Sequence, residues 1–176
     1  MVTDYFSRLK LLWFHCPEFY EQTLKKPDAK ASIRFAVLTS LLVVVEIGGA
    51  EALSGGAIKN VAFVTAVLLA GLPFALVLFV HLWSFFMRLC GVLLGENLPA
   101  DQLRPIVAYS LGGLVALGLG FGLGGVLALA IFVFQYIGFQ KVLGYSRWQS
   151  AVYVGFPFSL VAVMGIIFTL LFKVFK

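Results

Sequence analysis

Few residues of this chain have the type and setting to do chemistry, and the sharpest is Glu46, a carboxyl group inside an apolar stretch. Counted from Arg34, it lies about 18 Å along a helix, well inside a bilayer that such a helix would cross. A carboxylate at that depth is costly and is usually paired or functional. Two interpretations stay open: a proton-sensitive or ion-binding carboxyl, or a neutral carboxyl bonded to Thr65 or a backbone carbonyl. Glu51, nearer the outer interface, is expected to be solvated.

His81 is the second polar candidate, about 10 Å from the inner end of its stretch when counted from Arg88. Polar side chains can bond helices together in lipid, so a buried hydrogen-bonded cluster is expected at this depth. A structural histidine with satisfied hydrogen bonds is the alternative, and a metal site has little support because His15 is the only other histidine. The other expected members of the cluster are Thr39, Ser84 and Gln135.

The sequence contains none of the common catalytic motifs, neither G-x-S-x-G nor H-E-x-x-H, and no paired membrane aspartates. Residues 120–125 match G-x-G-x-x-G in letters, but no strand precedes them, so a tight turn or close helix packing is predicted. Cys16 and Cys90 lack a metal or redox spacing and are expected to be free thiols, with palmitoylation of Cys90 as an alternative. We therefore predict no enzyme, no cofactor and no metal.

The elements that position these residues must be membrane helices. The chain is 61% hydrophobic and only 12% charged, against about 25% charged in a soluble domain. Its net charge of +5 does not indicate nucleic-acid binding, because the basic residues gather near the N-terminus or stand singly between apolar runs. Acidic residues within the first 30 positions argue against a cleavable signal peptide.

The predicted fold class is an all-α integral membrane protein, a bundle of five transmembrane helices over residues 33–176. The spans are expected at about 33–52, 61–87, 106–120, 123–140 and 151–172, and a glycine cluster at 118–125 alone separates the third from the fourth. Residues 1–32 form an amphipathic N-terminal segment predicted to lie in the membrane interface with its apolar face in lipid. That apolar face is made of Tyr5, Leu9, Leu12, Trp13, Cys16 and Tyr20.

The orientation follows from the basic residues between the spans. With five spans and a cytoplasmic N-terminus, ten basic residues fall inside and three outside. The inner ten are Arg8, Lys10, Lys25, Lys26, Lys30, Arg34, Arg88, Arg104, Lys141 and Arg147, and the outer three are Lys59, Lys173 and Lys176. The predicted location is a membrane that the chain crosses several times.

Several stretches together resemble the Yip family, which are Rab/Ypt-interacting polytopic membrane proteins. They are Cys16–Tyr20 ahead of Lys26–Ala29, His81–Gly91 at the end of the second span, Ile106–Ser110 and Gly144–Arg147. The resemblance implies a five-span bundle with a cytoplasmic N-terminus and, in eukaryotic relatives, a role in early secretory traffic with Rab GTPases as partners. This sequence lacks the long cytosolic N-terminal region of those relatives, which argues against Rab binding and suggests a short prokaryotic member. The resemblance therefore implies a location in the prokaryotic cell (inner) membrane.

The leading functional hypothesis is a non-enzymatic membrane organiser that contacts the bilayer and associates with itself or with other membrane proteins. The alternative is a small transporter or lipid-translocating protein that uses the intramembrane carboxyl of Glu46. The candidate polar residues within the membrane are Glu46, Glu51, His81, Ser84 and Gln135. The candidates at the cytoplasmic face are Arg88, Arg104, Tyr109 and Arg147.

Overall fold

A computed structural model describes residues 2–23, 28–55, 57–119 and 124–174, and within these ranges the chain forms helices and no strand. The α-helices are α1 (Val2–Phe14), α2 (Cys16–Thr23), α3 (Ala29–Leu53), α4 (Ile58–Leu93), α5 (Ala100–Ser110), α6 (Gly124–Val142) and α7 (Arg147–Val174). A 3-10 helix, Leu111–Leu119, continues directly from α5. The predicted all-α class is confirmed.

Three of these helices, α3, α4 and α7, are long and apolar enough to cross a membrane. They contain the spans predicted at 33–52, 61–87 and 151–172. The third predicted span is not one continuous α-helix, because α5 gives way to the 3-10 helix after Ser110. Residues 124–140 of the fourth fall within α6, whose described apolar part, Leu129–Val142, is shorter than a span. The turn predicted between these two spans falls at residues 120–123, outside the described ranges.

Local sequence signals explain several helix ends. The side chain of Asp28 caps α3, since its Oδ1 accepts hydrogen bonds from the backbone N–H groups of Lys30 (2.9 Å) and Ala31 (3.1 Å). Pro17 stands in the first turn of α2, where the missing N–H costs nothing. The chain turns beyond α4 at Gly95, whose φ of 87° suits glycine.

The buried core lies at one end of the molecule, which we call the packed end. It comprises α1, α2 and α5 with the adjoining segments 32–44, 80–91, 134–139 and 150–154. At the opposite end, residues 58–79 of α4 and 159–168 of α7 include no buried residue, and we call these two segments the exposed arm. Its large apolar side chains include Phe63, Phe74, Val163, Met164 and Ile166. Lipid is the environment that suits such a surface.

The N-terminal helices differ from expectation in what covers their apolar face. Tyr5, Leu9 and Leu12 are buried as one face, as the periodicity predicted, and so are Cys16 and Tyr20 in α2. The covering surface, however, is protein, so the prediction that this face lies in lipid is wrong. An amphipathic pattern shows only that one face is apolar and does not say whether lipid or protein covers it.

Two glycines allow this close docking. A side-chain carbon at Gly112 would lie 2.6 Å from the Cδ2 of Leu12, and one at Gly138 would lie 3.1 Å from the ring of Tyr20. Trp13 fixes the same contact by donating its indole N–H to the carbonyl of Gly112 at 3.1 Å. The N-terminal segment is therefore part of the helical core.

Candidate functional site

Glu46 lies on α3 with its side chain partly buried and its Oε2 atom enclosed by protein. Seven residues earlier on the same helix face, the hydroxyl of Thr39 is 3.1 Å from the hydroxyl of Tyr5 in α1. Burial raises the pKa of Tyr5, the hydrogen bond with Thr39 opposes that rise, and the negative charge of Glu46 adds to it. The carboxyl, the threonine and the tyrosine thus form one polar line along α3.

Thr65, the partner considered for Glu46, approaches α3 at a different place. A side-chain carbon at Gly48 would lie 2.7 Å from the Oγ1 of Thr65. Gly48 is two residues beyond Glu46, which places it about 160° further around the helix. Thr65 therefore serves the close packing of α3 and α4 on that other face.

A hydrogen-bonded network joins three helices of the packed end around Gln135. Its Nε2 donates to the Oγ of Ser110 at 3.1 Å, and its Oε1 accepts the indole N–H of Trp83 at 3.3 Å. The hydroxyl of Ser110 donates in turn to the carbonyl of Val107 at 2.7 Å. The buried cluster was predicted to consist of His81, Thr39, Ser84 and Gln135. Of these four, only Gln135 takes part in this network within the described residues, and Trp83 and Ser110 are members that the depth estimate missed.

His81 was predicted to belong to the buried cluster, but it does not lie there. Its side chain is exposed, and its Nδ1 donates to the carbonyl of Val77 at 2.8 Å, so the prediction of a buried His81 is wrong. The rotation of α4 decides this, because Val80, Ser84 and Met87 face inward and turn His81 outward. Since a carbonyl only accepts, the proton sits on Nδ1, and Nε2 is left as an outward-facing acceptor.

The remaining candidates divide between the core and the surface. Ser84 is buried, and its hydroxyl has no hydrogen-bond partner within the described residues. Glu51 is exposed, in line with the expected solvation. Tyr109 is buried and accepts a hydrogen bond from the Nη1 of Arg8 at 3.2 Å. The other cytoplasmic-face candidates, Arg88, Arg104 and Arg147, are exposed.

Both cysteines are buried free thiols, as predicted. Burial raises the pKa of Cys16 to about 12, which makes it a poor nucleophile at neutral pH. Cys90 is only 1% exposed, which argues against the alternative of palmitoylation. Across the described ranges, no group of three His, Cys, Asp or Glu side chains is placed to hold a metal ion.

A cleft between α1 and α3, which we call the α1–α3 cleft, has a volume of about 230 Å³. It opens beside the N-terminal end of α3, and sequence reasoning did not single it out. The sequence signal that could have located the cleft is the concentration of charged residues near the starts of α1 and α3. The lining residues are Asp4, Tyr5, Arg8, Asp28, Ala31, Arg34, Phe35 and Leu38.

The chain matches no model of a protein family, no curated protein and no solved structure. Its relation to the Yip family therefore stays a prediction from the motifs quoted above. The geometry of the described residues carries the functional argument that follows.

Proposed function

We propose that this protein is a non-enzymatic membrane organiser of the Yip type that crosses the bilayer five times and pairs with a second copy through α4. Its N-terminus lies in the cytoplasm, in keeping with ten basic residues inside against three outside. Two of the Yip-like stretches meet in the fold, since the rings of Phe19 and Tyr109 pack edge to face with centroids 5.0 Å apart.

Helix lengths support the two spans beyond α3, α4 and α7. From Ile106, where the third span is expected to begin, five residues of α5 and the nine of the 3-10 helix together extend about 25 Å. The 19 residues of α6 extend about 28 Å. Both values are close to the roughly 30 Å of the hydrocarbon core. Spans of these lengths would return the chain to the cytoplasm before α7.

The observation that carries the pairing proposal is His81 on an outward-facing apolar stripe of α4. Intramembrane polar residues normally face the protein interior, whereas His81 lies between Leu78, which is 46% exposed, and Phe85, which is 66% exposed. Its Nε2 is an acceptor that hydrocarbon cannot satisfy. A second α4 in the same orientation, packed on this stripe, would bring the two imidazoles together, and one shared proton would let one Nε2 donate to the other.

The spacing of the stripe favours a second α4 as the partner. Its members alternate four and three residues apart, the repeat that lets two helices pack along a continuous seam. All of them are exposed, so the seam is open along its whole length. The members are Val67, Gly71, Phe74, Leu78, His81, Phe85, Arg88 and Val92.

Disulfide trapping in native membranes tests this pairing. Phe74→Cys should form a cross-linked dimer on mild oxidation, because it places a thiol in the middle of the stripe. The native thiols are buried and should stay silent. Leu69→Cys is the matched control, exposed but about 140° around α4 from Phe74. Adding His81→Leu to Phe74→Cys should lower the dimer fraction about threefold.

Equal trapping at Leu69 and Phe74 would refute a specific seam. Mass spectrometry of the trapped band distinguishes the possible partners: a second copy supports the proposal, whereas a different protein overturns self-association. A purified protein that turned over a lipid or peptide would overturn the non-enzymatic assignment.

The transporter remains the second candidate, favoured by the polar line from the α1–α3 cleft to Glu46. Tyr5 lines the cleft, its hydroxyl meets Thr39, and Glu46 lies about two turns further along the same face of α3. A transporter predicts a pH-dependent flux or lipid flip in liposomes that Glu46→Gln abolishes and Tyr5→Phe slows. Wild-type protein without flux across several ions and lipids would end this idea.

A further inference from the structure

The α1–α3 cleft combines charges of both signs with aromatic surface. Asp4 and Arg8 come from α1, and Asp28 and Arg34 come from the start of α3, so the formal charges of the lining balance. Rings of Tyr5 and Phe35 complete the wall. The volume of about 230 Å³ is smaller than the roughly 300–1,000 Å³ of drug-sized pockets. The cleft therefore suits a small polar group.

The position of the cleft indicates where that group comes from. It lies at the N-terminal end of α3, one of the helices able to cross a membrane. A spanning helix leaves the hydrocarbon core at its ends, where lipid headgroups are found. Whichever way the protein is oriented, a cleft at this end meets headgroups of one leaflet. This step requires only that α3 spans the bilayer and is independent of pairing through α4.

Two guanidinium groups in the cleft have donors to spare. Arg34 is exposed and forms no ion pair or side-chain hydrogen bond within the described chain. Arg8 uses its Nε for Asp4 and its Nη1 for Tyr109, which hold the group in place and leave further N–H donors. The planar fork of arginine matches phosphate oxygens. A phosphate group is therefore the ligand chemistry that suits these two side chains.

The acidic and aromatic groups make a polyanionic ligand a poor fit. Asp4 is 64% exposed at its side chain, so it can meet a cation at the mouth of the cleft. Tyr5 and Phe35 add ring faces or edges nearby, and an ammonium group over an aromatic face is attracted to it. Asp28 is engaged by capping α3 and adds negative charge to the wall. A ligand with both a phosphate and an amine matches this balance.

We propose that the α1–α3 cleft binds the headgroup of a zwitterionic aminophospholipid, with the phosphate on Arg34 and Arg8 and the amine at Asp4. The site would hold one lipid at the junction of α1 with α3. No covalent step is involved.

Native mass spectrometry of delipidated, full-length protein in detergent tests the site. The probes are phosphatidylethanolamine, phosphatidylglycerol and soluble phosphoethanolamine. Wild-type protein should retain phosphatidylethanolamine in preference to the other two. Arg34→Gln should weaken this binding roughly tenfold, the effect of losing one charge-assisted contact. Arg104→Gln removes an exposed arginine outside the cleft and should change nothing.

A second variant tests the amine contact, because it should change which lipid the protein prefers. Asp4→Asn removes the negative charge at the mouth and frees Arg8, so the preference should shift toward phosphatidylglycerol. Equal binding of both lipids by wild-type protein, or no difference between Arg34→Gln and Arg104→Gln, would overturn the proposal. Phosphoethanolamine bound as tightly as the whole lipid would point to a soluble ligand and overturn the lipid assignment.

Discussion

The packed end and the exposed arm use the same kinds of residue in opposite ways. In the packed end, aromatic and polar side chains meet protein, as Trp83 does when it donates to Gln135. In the exposed arm, aromatic side chains such as Phe63 and Phe74 are at least 70% exposed. Helix α4 contributes to both regions. The position of a residue along a helix therefore does not show whether other parts of the protein cover its side chain. The side of the helix on which the residue lies must also be known.

His81 and Trp83 lie at nearly the same depth on α4, but their side chains have different environments. The two residues are separated by a single position on α4, yet Trp83 bonds into the core and His81 turns toward the surroundings of the protein. Substitutions in the packed end should therefore change stability, whereas substitutions on the outward surface should change association.

The largest effect is expected from a pair of phenylalanines in the N-terminal helices. Phe19 is fully buried, and Phe19→Ala should cost about 3–5 kcal/mol of unfolding free energy through the cavity it leaves. Phe14 is 74% exposed, and Phe14→Ala should cost little. Thermal unfolding in detergent and protease cleavage of the N-terminal segment measure the two. Similar losses for both variants would mean that α1 and α2 are not part of the core.

A glycine pair gives the next largest contrast, in sign as well as size. A side-chain carbon at Gly138 would crowd Ile106 at 2.8 Å and the ring of Tyr20, so Gly138→Ala should cost about 1–3 kcal/mol. Gly155 has open space around that position, and Gly155→Ala should be neutral or stabilising because alanine favours helices. Melting temperatures of both variants decide the matter, and a stabilised Gly138→Ala would contradict the packing described.

A tryptophan pair tests the buried network. Trp83→Phe removes the donor to Gln135 and should cost about 1 kcal/mol, the scale of hydrogen bonds between membrane helices. Trp148 is 81% exposed, and Trp148→Phe should leave the unfolding free energy unchanged. Chemical unfolding in micelles provides the measurement. A greater loss for Trp148→Phe would reverse the assignment of inward and outward sides.

The smallest effect is expected at the ion pair between Lys141 and Glu21, whose atoms are 2.6 Å apart. Both side chains are more than a third exposed, so Lys141→Gln should cost less than about 1 kcal/mol. The difference from wild type should vanish in about 1 M salt, where charges are screened beyond about 3 Å. A loss that persists in high salt would indicate that the pair does more than join α2 to α6.

The sequence predicted where the helices lie along the chain better than it predicted which segments pack against them. Hydrophobic run lengths located α3, α4 and α7, because the length of an apolar run is a local signal. The cover over α1 depends on Gly112 and that over α2 on Gly138, and both glycines lie about a hundred residues further along the chain. No local pattern reports such an encounter.

For the candidate site residues, the sequence likewise predicted the depth of a residue but not which side of its helix faces the protein. Counting residues gave the depth of Gln135 and Ser84, and both are buried. Counting could not give the rotation of α4, which packing on other helices sets, and so His81 was assigned to the wrong side. The α1–α3 cleft was missed because its two walls are separate in sequence, and only their docking brings the charges together.

The 3-10 helix after α5 bears on bilayer thickness. Its nine residues rise about 2.0 Å each, whereas an α-helix rises 1.5 Å per residue. Rewinding them as an α-helix would shorten the segment by about 4.5 Å, close to the difference between thin and thick biological membranes. In the five-span arrangement proposed above, the winding of this one segment would set which membrane thickness the third span fits.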